Sequence, residues 1–595
     1  MPAPAEYYNQ QKDKYSQGLA EVNRKINAIA RLRLWVAIGA IIAGIAAFRN
    51  GAAWEWWTAG VAAILYLILV RIYHGLENRK EILETQLLLI TNELRALAGD
   101  ISPFADGGAY VDAAHPYSYD LDLFGKGSVY QLLCRTVTNS GGELLASQLQ
   151  EQEPVKDTIT AKQAIIKDLS LQPDILQQYR VAGIRVPEGK KDQVRLKEWL
   201  AAPDHIINNL IIRTAAVIMP VLTVGSIIYA AVTGTPATAT GLLIVINWVL
   251  LGIFQKSVKP SVERIGSIAP LIDKYTTLLT QMAEGSYNNV WLKEVGDHAK
   301  KSLKDIAQFE KLVRLFDSRE NGIVGPLMNS LVLFDFYCLL RLEGWRKKHG
   351  ALLLRCIDDM TAMDAYVSCA VYAFNHPDNI YPEINTTDLA IHAKDLKHPL
   401  LASATAVGND VSLGSGEQFY LLTGANMTGK STFIRTIGVS SVLCNMGLPL
   451  PTKELRMPLP KLYTSMRITD SVQDDISYFR AELNRIKMIM DEVRTSATPY
   501  MVLLDEPLRG TNSTDKQQGT RAIVENLINS HAIGIVATHD TGLCDMETDH
   551  AGQISNYHFE SMVTEGGLAF DFKLKRGAST SNNATILMRQ MGIVK

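Results

Sequence analysis

Two regions of the chain carry apolar runs long enough to suggest membrane insertion. Residues 214–255 contain no Asp, Glu, Lys or Arg, and two apolar stretches there, Ala215–Val232 and Ala237–Phe254, flank a short turn. Nearer the N-terminus, Leu34–Phe48 and Trp57–Val70 form a second pair with shorter arms. We predict two transmembrane helical hairpins, and so four spans that contact membrane lipid. The alternatives are a buried hairpin in a soluble core and, for the earlier pair, a soluble amphipathic hairpin.

The distribution of basic residues predicts how these hairpins are oriented. The segment before the first pair and the segments after both pairs are rich in Lys and Arg, whereas the two connecting turns carry only Arg49. Because cytoplasmic flanks of membrane spans collect Lys and Arg, both hairpins should enter and leave on the cytoplasmic side. We therefore expect a multi-pass protein of the inner (cytoplasmic) membrane with its C-terminal half in the cytoplasm.

The remaining segments change in pattern along the chain. Apolar residues recur every three or four positions from Tyr15 to Ile29, which predicts an amphipathic helix that packs against a partner helix or against its own chain, for example the charged helix around Glu77–Ala98. Residues 256–375 are typical of long helices. From residue 400 onward, short apolar strands alternate with helices, a pattern that indicates an α/β domain.

Composition narrows the classes of function. The 595 residues are 47% hydrophobic and carry a formal net charge of −2, which excludes a disordered chain and a generally basic, nucleic-acid-coating protein. Any contact with DNA would need a local patch or an enclosing clamp. The six cysteines are scattered, with no C-x-x-C spacing, so we expect neither a zinc site nor a disulfide framework.

One motif carries clear chemistry. The apolar strand Tyr420–Thr423 leads into G-x-x-x-x-G-K-S and then a helix, the arrangement of a phosphate-binding P-loop (Walker A). Lys430 should reach the β- and γ-phosphates of ATP, and the Ser431 hydroxyl should ligate Mg²⁺. We assign nucleotide binding to Gly424, Ala425, Asn426, Met427, Thr428, Gly429, Lys430, Ser431 and Thr432.

Two later strands should complete this site. Tyr500–Glu506 is an apolar strand that ends in two carboxylates, the Walker B pattern, in which Asp505 holds Mg²⁺ and Glu506 polarises the attacking water. A third strand, Ala532–Thr538, delivers His539, which we interpret as a sensor of the γ-phosphate and a catalytic residue beside Glu506 and Lys430. A structural histidine is the alternative.

The pattern between these motifs predicts a helix over Asp474–Val493, whose N-terminal end carries Ser477. A helix N-terminus with a hydroxyl group can bind an anion, and in dimeric ATPases such an end meets the partner's γ-phosphate. We therefore expect Ser477 to complete the site of the partner chain. The alternative is an ordinary N-capping serine.

These motifs together resemble the MutS family of DNA mismatch repair ATPases. The P-loop shares the unusual Asn426-Met427 pair, although Ala425 and Thr428 stand where the family usually has Pro and Gly. Further resemblance lies at Asp120–Ala146, Asp395–Leu400, Ser477–Glu482, Leu504–Asp515 and Ala537–His539. The resemblance implies a homodimer with composite ATP sites, an α-helical core and lever domain, and a P-loop ATPase domain of ABC type. We expect the mismatch-reading domain to be lacking.

The expected domain order combines the two hairpins with this resemblance. The divisions are 1–33, a cytoplasmic amphipathic helix; 34–73, the first hairpin; 74–206, a helical segment with the first part of the core; 207–255, the second hairpin; 256–395, the helical core and lever domain; and 396–595, the ATPase domain.

The leading hypothesis for function is a membrane-anchored MutS-like ATPase that acts on mismatched or branched DNA in a repair-related role. The alternative is an ATP-driven membrane machine that acts on a protein partner without binding DNA. An ABC-type transporter is less favoured, because the chain has no Leu-Ser-Gly-Gly-Gln sequence.

Overall fold

The chain divides into two compact units. The structure, a computed structural model, describes residues 3–51, 53–189, 192–203, 206–317, 322–402, 405–425, 428–467, 478–495, 499–564 and 567–579. The first unit comprises residues 1–94, 136–141 and 174–364, and the second comprises 95–135, 142–173 and 365–595. Asn426, Met427 and Ser477, all assigned to nucleotide binding above, lie outside the described residues.

Helices make up most of the described chain. In chain order they are α1 Pro4–Asn50, α2 Ala53–Leu97, α3 Val129–Leu133, α4 Asn139–Leu149, α5 Lys156–Ser170, α6 Pro173–Ile184, α7 Asp192–Ala201, α8 Leu210–Thr233, α9 Thr238–Glu284, α10 Val290–Asp317, α11 Val324–Val332, α12 Phe334–Asn375, α13 Lys430–Asn445, α14 Tyr478–Thr495, α15 Ser513–Asn529 and α16 Met546–Asp549.

In the first unit, α1 packs against α2 of the same chain. Gly18 lies against Leu83, and the Arg33 guanidinium lies 4.4 Å from the centre of the Tyr73 ring. The amphipathic helix of the N-terminus therefore pairs with the charged part of α2, the within-chain alternative that the sequence left open. Each arm of this hairpin is much longer than its apolar part, because the helices continue without a break into charged sequence.

Within the described residues, four helices are long and apolar enough to cross a membrane. They cover Pro4–Arg49, Trp56–Leu97, Leu210–Thr233 and Thr238–Gln255. The buried share of the most apolar part of each helix is 0, 6, 22 and 11% respectively, so most of these side chains are not packed in a protein core. The helical hairpins match the predicted segments, whereas their crossing of a membrane stays a prediction.

Hydrogen bonds and an ion pair satisfy polar groups of this unit at the start of α8 and between α6 and α2. The Asn209 side chain caps α8 by accepting from the backbone N–H groups of Ile211 and Ile212. Arg180 and Glu93 form a buried ion pair with a 2.6 Å separation. Because a buried charge without its partner is costly, this pair ties α6 to α2 within the first unit.

In the part of the chain that the structure describes, ten strands form two sheets, all in the second unit. The strands are β1 Glu383–Asn385, β2 Ile391–Leu396, β3 Asn409–Leu413, β4 Phe419–Thr423, β5 Glu454–Pro458, β6 Lys461–Ser465, β7 Tyr500–Asp505, β8 Ile533–Ala537, β9 Ile554–Thr564 and β10 Gly567–Arg576. The smaller sheet has the order β1-β5-β2-β3 and the larger one β10-β9-β4-β8-β7-β6. This α/β region follows a mostly helical chain, as predicted.

The larger sheet is parallel at its centre and covered on both faces. Strands β4, β7 and β8 are buried along their whole length, which is typical of a parallel sheet between helices. Tyr420 and Leu422 of β4 belong to one apolar core, and Phe419 and Leu421 belong to the other. The period of two along the strand therefore divides its side chains between the two faces.

Residues 95–135 and 142–173 also belong to the second unit. Their assignment to segment 74–206 stays a prediction. Within the second unit, a buried carboxylate in the first of these stretches is hydrogen-bonded to the larger sheet. Asp120 accepts hydrogen bonds from the Thr464 hydroxyl at 2.7 Å and from the backbone N–H of Arg467 at 2.9 Å, at the end of β6. The other domain limits stay predictions.

Candidate nucleotide site

The site residues meet because three parallel strands are in register. Leu422 of β4 pairs with Ala537 of β8, and Ala537 pairs with Asp505 of β7. Residues that follow these strands therefore emerge side by side at one edge of the sheet, where ligands bind in open α/β folds. The P-loop follows β4, Glu506 follows β7, and His539 comes two residues after β8.

Two glycines give the P-loop its shape. Gly424 has φ +139° and Gly429 has φ +110°, conformations that L side chains rarely adopt. A Cβ added at Gly424 would lie 2.8 Å from the Phe559 carbonyl oxygen, so this position also lacks space for a side chain. Gly429 directly precedes α13, whose N-terminus has no side-chain cap. The first N–H groups of α13 can therefore bind a phosphate, as the helix dipole favours.

The Lys430 ammonium group lies inside the loop. It is 5% exposed and donates hydrogen bonds to the carbonyl oxygens of Gly424 and Ala425, the latter at 2.9 Å. Burial lowers the pKa of Lys430 to about 8, and the nearby carboxylates of Glu506 and Asp505 oppose that change. A buried cation held by neutral carbonyl groups is suited to an anionic ligand.

Ser431 and Asp505 bring two oxygen ligands together. The Ser431 hydroxyl donates to Asp505 Oδ2 at 2.6 Å, which joins the start of α13 to the end of β7. Among the described residues no group of three or more His, Cys, Asp or Glu side chains is arranged to hold a metal ion. One carboxylate and one hydroxyl, completed by phosphate and water oxygens, is a donor set that Mg²⁺ accepts.

Glu506 and His539 are joined directly. His539 Nε2 lies 2.7 Å from Glu506 Oε1, and this hydrogen bond lowers the pKa of Glu506 to about 2 against the effect of burial. Glu506 is also strained, with φ +52°, and its N–H donates to the Ala537 carbonyl at 2.9 Å. While it accepts from His539, this carboxylate is a weak base.

Two residues that were not predicted from the sequence, Arg509 and Glu482, also help to shape the nucleotide site. Arg509 Nε lies 3.4 Å from Glu506 Oε2, and Arg509 Nη2 donates to the Asp505 carbonyl oxygen at 3.1 Å. Glu482 of α14 is 2% exposed, and its Oε1 accepts from the backbone N–H of Leu508 at 2.6 Å. It thereby holds the turn after Glu506.

That turn is strained at a second position. Leu508 has φ +62°, and the same Glu482 oxygen lies 3.3 Å from the backbone nitrogen of Arg509. Burial raises the pKa of Glu482, although hydrogen bonds from the backbone of residues 508–510 favour its ionised form. The sequence signal for this role is a glutamate on the otherwise apolar side of α14, close to Ile486 and Ile489 in helical spacing.

The remaining assigned residues lie in the loop or at its end. The Thr428 hydroxyl is buried and donates to the Ala425 carbonyl at 2.8 Å, which stabilises the loop. Thr432 is exposed on the first turn of α13, and its carbonyl oxygen accepts from the Thr436 hydroxyl. The roles of all these residues toward ATP and Mg²⁺ stay predictions.

Residues 420–593 match the family model for MutS domain V. Over these residues the chain is similar to members of the MutS family. The match begins in β4 and includes the P-loop, the two carboxylates after β7 and the histidine after β8. The sequence-based resemblance is therefore confirmed for this region.

Named relatives come from bacteria, archaea and animals. DNA mismatch repair protein MutS of Thermotoga maritima is 32% identical over 215 residues, which are 35% of this chain and 26% of the relative. DNA mismatch repair protein MutS 2 of Halobacterium salinarum is 30% identical over 239 residues, 39% of this chain and 27% of the relative. MutS protein homolog 4 of Homo sapiens is 26% identical over 246 residues, 40% of this chain and 25% of the relative. The chain thus spans about a quarter of the length of the relatives that it matches.

The lowered pKa of Lys430 predicts a pH dependence of nucleotide binding. Above about pH 8 the free amine is increasingly neutral, whereas bound phosphates favour the ammonium form, so binding must take up a proton. We expect the affinity for ATP to fall by up to about tenfold per pH unit above that value. Calorimetry in buffers of different ionisation enthalpy measures the proton uptake directly. Constant affinity with no proton uptake from about pH 7 to about pH 9.5 would contradict this role of Lys430.

The contacts of Glu482 predict a positioning effect on hydrolysis. Glu482→Ala leaves the N–H groups of Leu508 and Arg509 without their acceptor, at a cost of about 1–3 kcal/mol each. We expect kcat for ATP hydrolysis to fall about tenfold or more while the affinity for ATP changes little, because Glu506 follows the same turn. Glu482→Gln retains an oxygen acceptor and should keep most of the activity.

Glu492→Ala is the matched control for that experiment. Glu492 is an exposed glutamate on α14, so its loss tests the effect of removing charge from the helix alone. Full activity in Glu482→Ala, or an equal loss in Glu492→Ala, would show that the hydrogen bonds to the turn do not matter for hydrolysis.

Proposed function

We propose that this chain is a membrane-anchored MutS-type ATPase that works as a homodimer. The proposal rests on the side chains that meet at the ends of three registered strands. The Ser431 hydroxyl is hydrogen-bonded to Asp505, His539 is hydrogen-bonded to Glu506, and the P-loop lysine lies beside them. Phosphate binding, metal binding and water activation are the three tasks of a P-loop ATPase, and this edge of the sheet has residues of the required type for each.

Each residue has a distinct task in this proposal. The P-loop N–H groups and Lys430 bind the phosphates, and Ser431 and Asp505 hold Mg²⁺. The metal ion would neutralise phosphate charge during transfer. Glu506 orients the attacking water and accepts its proton, which requires that its hydrogen bond with His539 first be broken or shared. His539 then reports on the γ-phosphate, and Ser477 of the partner subunit completes the site.

The target that we propose is DNA, mismatched or branched, in a repair-related role. Support comes from the relatives, whose names include DNA mismatch repair proteins and which are similar to this chain over its ATPase region. Because the whole chain has a net charge of only −2, contact with DNA would need a local basic patch or an enclosing clamp. The membrane anchor that we propose rests on four apolar helices whose side chains are largely uncovered by the protein.

Glu506→Gln tests the catalytic assignment. The amide cannot accept the proton of water, so we expect kcat for ATP hydrolysis to fall at least about a hundredfold. Binding of ATP should persist, because the P-loop and Ser431 are unchanged. Glu525→Gln, a glutamate of α15 outside the proposed site, is the control and should hydrolyse ATP normally. Undiminished turnover by Glu506→Gln would exclude this residue as the base.

Binding of DNA by the detergent-solubilised protein tests the proposed target. We expect ATP-dependent affinity for mismatched or branched duplexes over plain duplex, and a steep loss of affinity as salt rises, because phosphate contacts release counterions. The measurement is fluorescence anisotropy at several salt concentrations. If no form of DNA binds at low salt while ATP hydrolysis is intact, the DNA target is wrong, and an action on a protein partner becomes the better hypothesis.

A further inference from the structure

A short broken helix in the first unit packs beside the second hairpin. Helices α11 and α12 are bent by 84° at Leu333, which has φ +49°, and together they are long and apolar enough to form a broken span or a re-entrant loop. Residues 321–334 contain no Asp, Glu, Lys or Arg. The sequence pattern does not distinguish this stretch from the other long helices predicted over 256–375.

Polar side chains bind the broken backbone. Asn247 of α9 donates its side-chain N–H to the Ser330 carbonyl oxygen at 2.7 Å, and Trp248 Nε1 donates to the Ser330 hydroxyl at 2.9 Å. Across the bend, Asn329 Oδ1 accepts from the backbone N–H of Asp335 at 2.9 Å. Side chains thus replace helical hydrogen bonds at a break, as irregular backbone at membrane depth requires.

The position of Asn247 gives the depth of this contact. Asn247 lies eight residues before Gln255, where the apolar window of α9 ends, which corresponds to about 12 Å along the helix. Its second neighbour, Thr223 of α8, lies nine residues after Thr214, about 14 Å into the charge-free stretch. Both are fully buried. In a hydrocarbon core of about 30 Å, Ser330 would meet Asn247 close to the midplane.

The chain then returns toward the side from which it came. Phe336 contacts Phe254, next to the end of the apolar window, with ring centres 5.9 Å apart. Basic residues stand on both sides of the stretch, at Arg314 and Arg319 before it and at Arg341 after it. Basic flanks at both ends place both ends on the cytoplasmic side, which a complete span does not allow.

The outward face of α11 is apolar. Ile323 is 78% exposed and Leu327 is 55% exposed, with Val324 and Pro326 between them also uncovered. In water such a continuous face would be unfavourable, whereas beside two membrane spans it would contact lipid.

We propose that residues 322–336 form a re-entrant segment that enters the cytoplasmic leaflet beside the second hairpin, turns at Leu333 and leaves on the same side. Its partner is the lipid bilayer. The inference rests on the proposed membrane anchor and adds to it a fifth apolar element that does not cross.

Single cysteines in the full-length chain test this placement. Leu327→Cys reports on α11, Ile218→Cys on the span α8, and Lys301→Cys and Arg341→Cys on the aqueous side. Inverted membrane vesicles are treated with a charged, membrane-impermeant maleimide or a lipid-soluble one, and labelling is read peptide by peptide by mass spectrometry, so that the six native cysteines do not interfere. Carbonate extraction is carried out in parallel.

We expect Leu327→Cys and Ile218→Cys to be protected from both reagents in intact vesicles, because the reactive thiolate does not form in hydrocarbon, and to react once detergent dissolves the membrane. Lys301→Cys and Arg341→Cys should both react with the charged reagent from the outside of inverted vesicles. Reaction of Leu327→Cys with the charged reagent, while Ile218→Cys stays protected, would overturn the re-entrant segment and leave the membrane anchor standing. Reaction of Arg341→Cys only from the opposite face would also overturn it, in favour of a complete span.

Failure of the anchor itself gives a different result. If Ile218→Cys reacts with the charged reagent and carbonate releases the protein, the proposed membrane anchor is wrong, and so is the re-entrant segment.

A second variant tests the polar contact between Asn247 and Ser330. Asn247→Leu should expose Leu327→Cys to the charged reagent without exposing Ile218→Cys, whereas Val249→Leu on the same helix should change neither. Unchanged protection in Asn247→Leu would overturn the role of Asn247.

Discussion

The hydrogen-bond register between β4, β8 and β7 is the constraint on which the nucleotide site depends. Leu422, Ala537 and Asp505 lie abreast, so the segments that follow all three strands leave the sheet at one level. A slip of one residue in any strand would turn its side chains to the other face and move its last residue along the edge. The two apolar cores prevent such a slip, because alternate residues of each strand are buried on opposite sides.

Groups of positive and negative charge lie within a few ångströms of one another at this edge of the sheet. A buried ammonium group, two carboxylates, a histidine and Arg509 lie together, and the pKa of Lys430 and that of Glu506 are both lowered. Burial disfavours the charged lysine, whereas the hydrogen bond from His539 favours the charged glutamate. Glu506 is thus ionised but hydrogen-bonded to His539. The strained backbone is held at Glu506 by the Ala537 carbonyl and at Leu508 by the Glu482 carboxylate. Strain of this kind is common where a residue must be placed for chemistry.

Local patterns predicted much of this architecture. The P-loop, the carboxylates after a buried strand and the four apolar helices are signals carried by consecutive residues, and the α/β region and the MutS resemblance followed from them. Contacts distant in sequence were missed. Asp120 joins β6 through hydrogen bonds to residues more than three hundred positions away, and Glu482 holds a turn that lies beyond the next strand. The bend at Leu333 could not be predicted from consecutive residues, because Asn247, which binds the Ser330 carbonyl just before it, lies on another helix.

Helix α9 runs from the second hairpin to Glu284 without a break, a length of about 70 Å for its 47 residues. A continuous helix resists twisting, so its apolar beginning and its polar end turn as one body. Rotation of the polar end about the helix axis would therefore carry Asn247 around with it, and Ser330 would lose or keep its hydrogen bond according to the angle. The single uninterrupted helix thus links the apolar helix α11 to residues dozens of ångströms away.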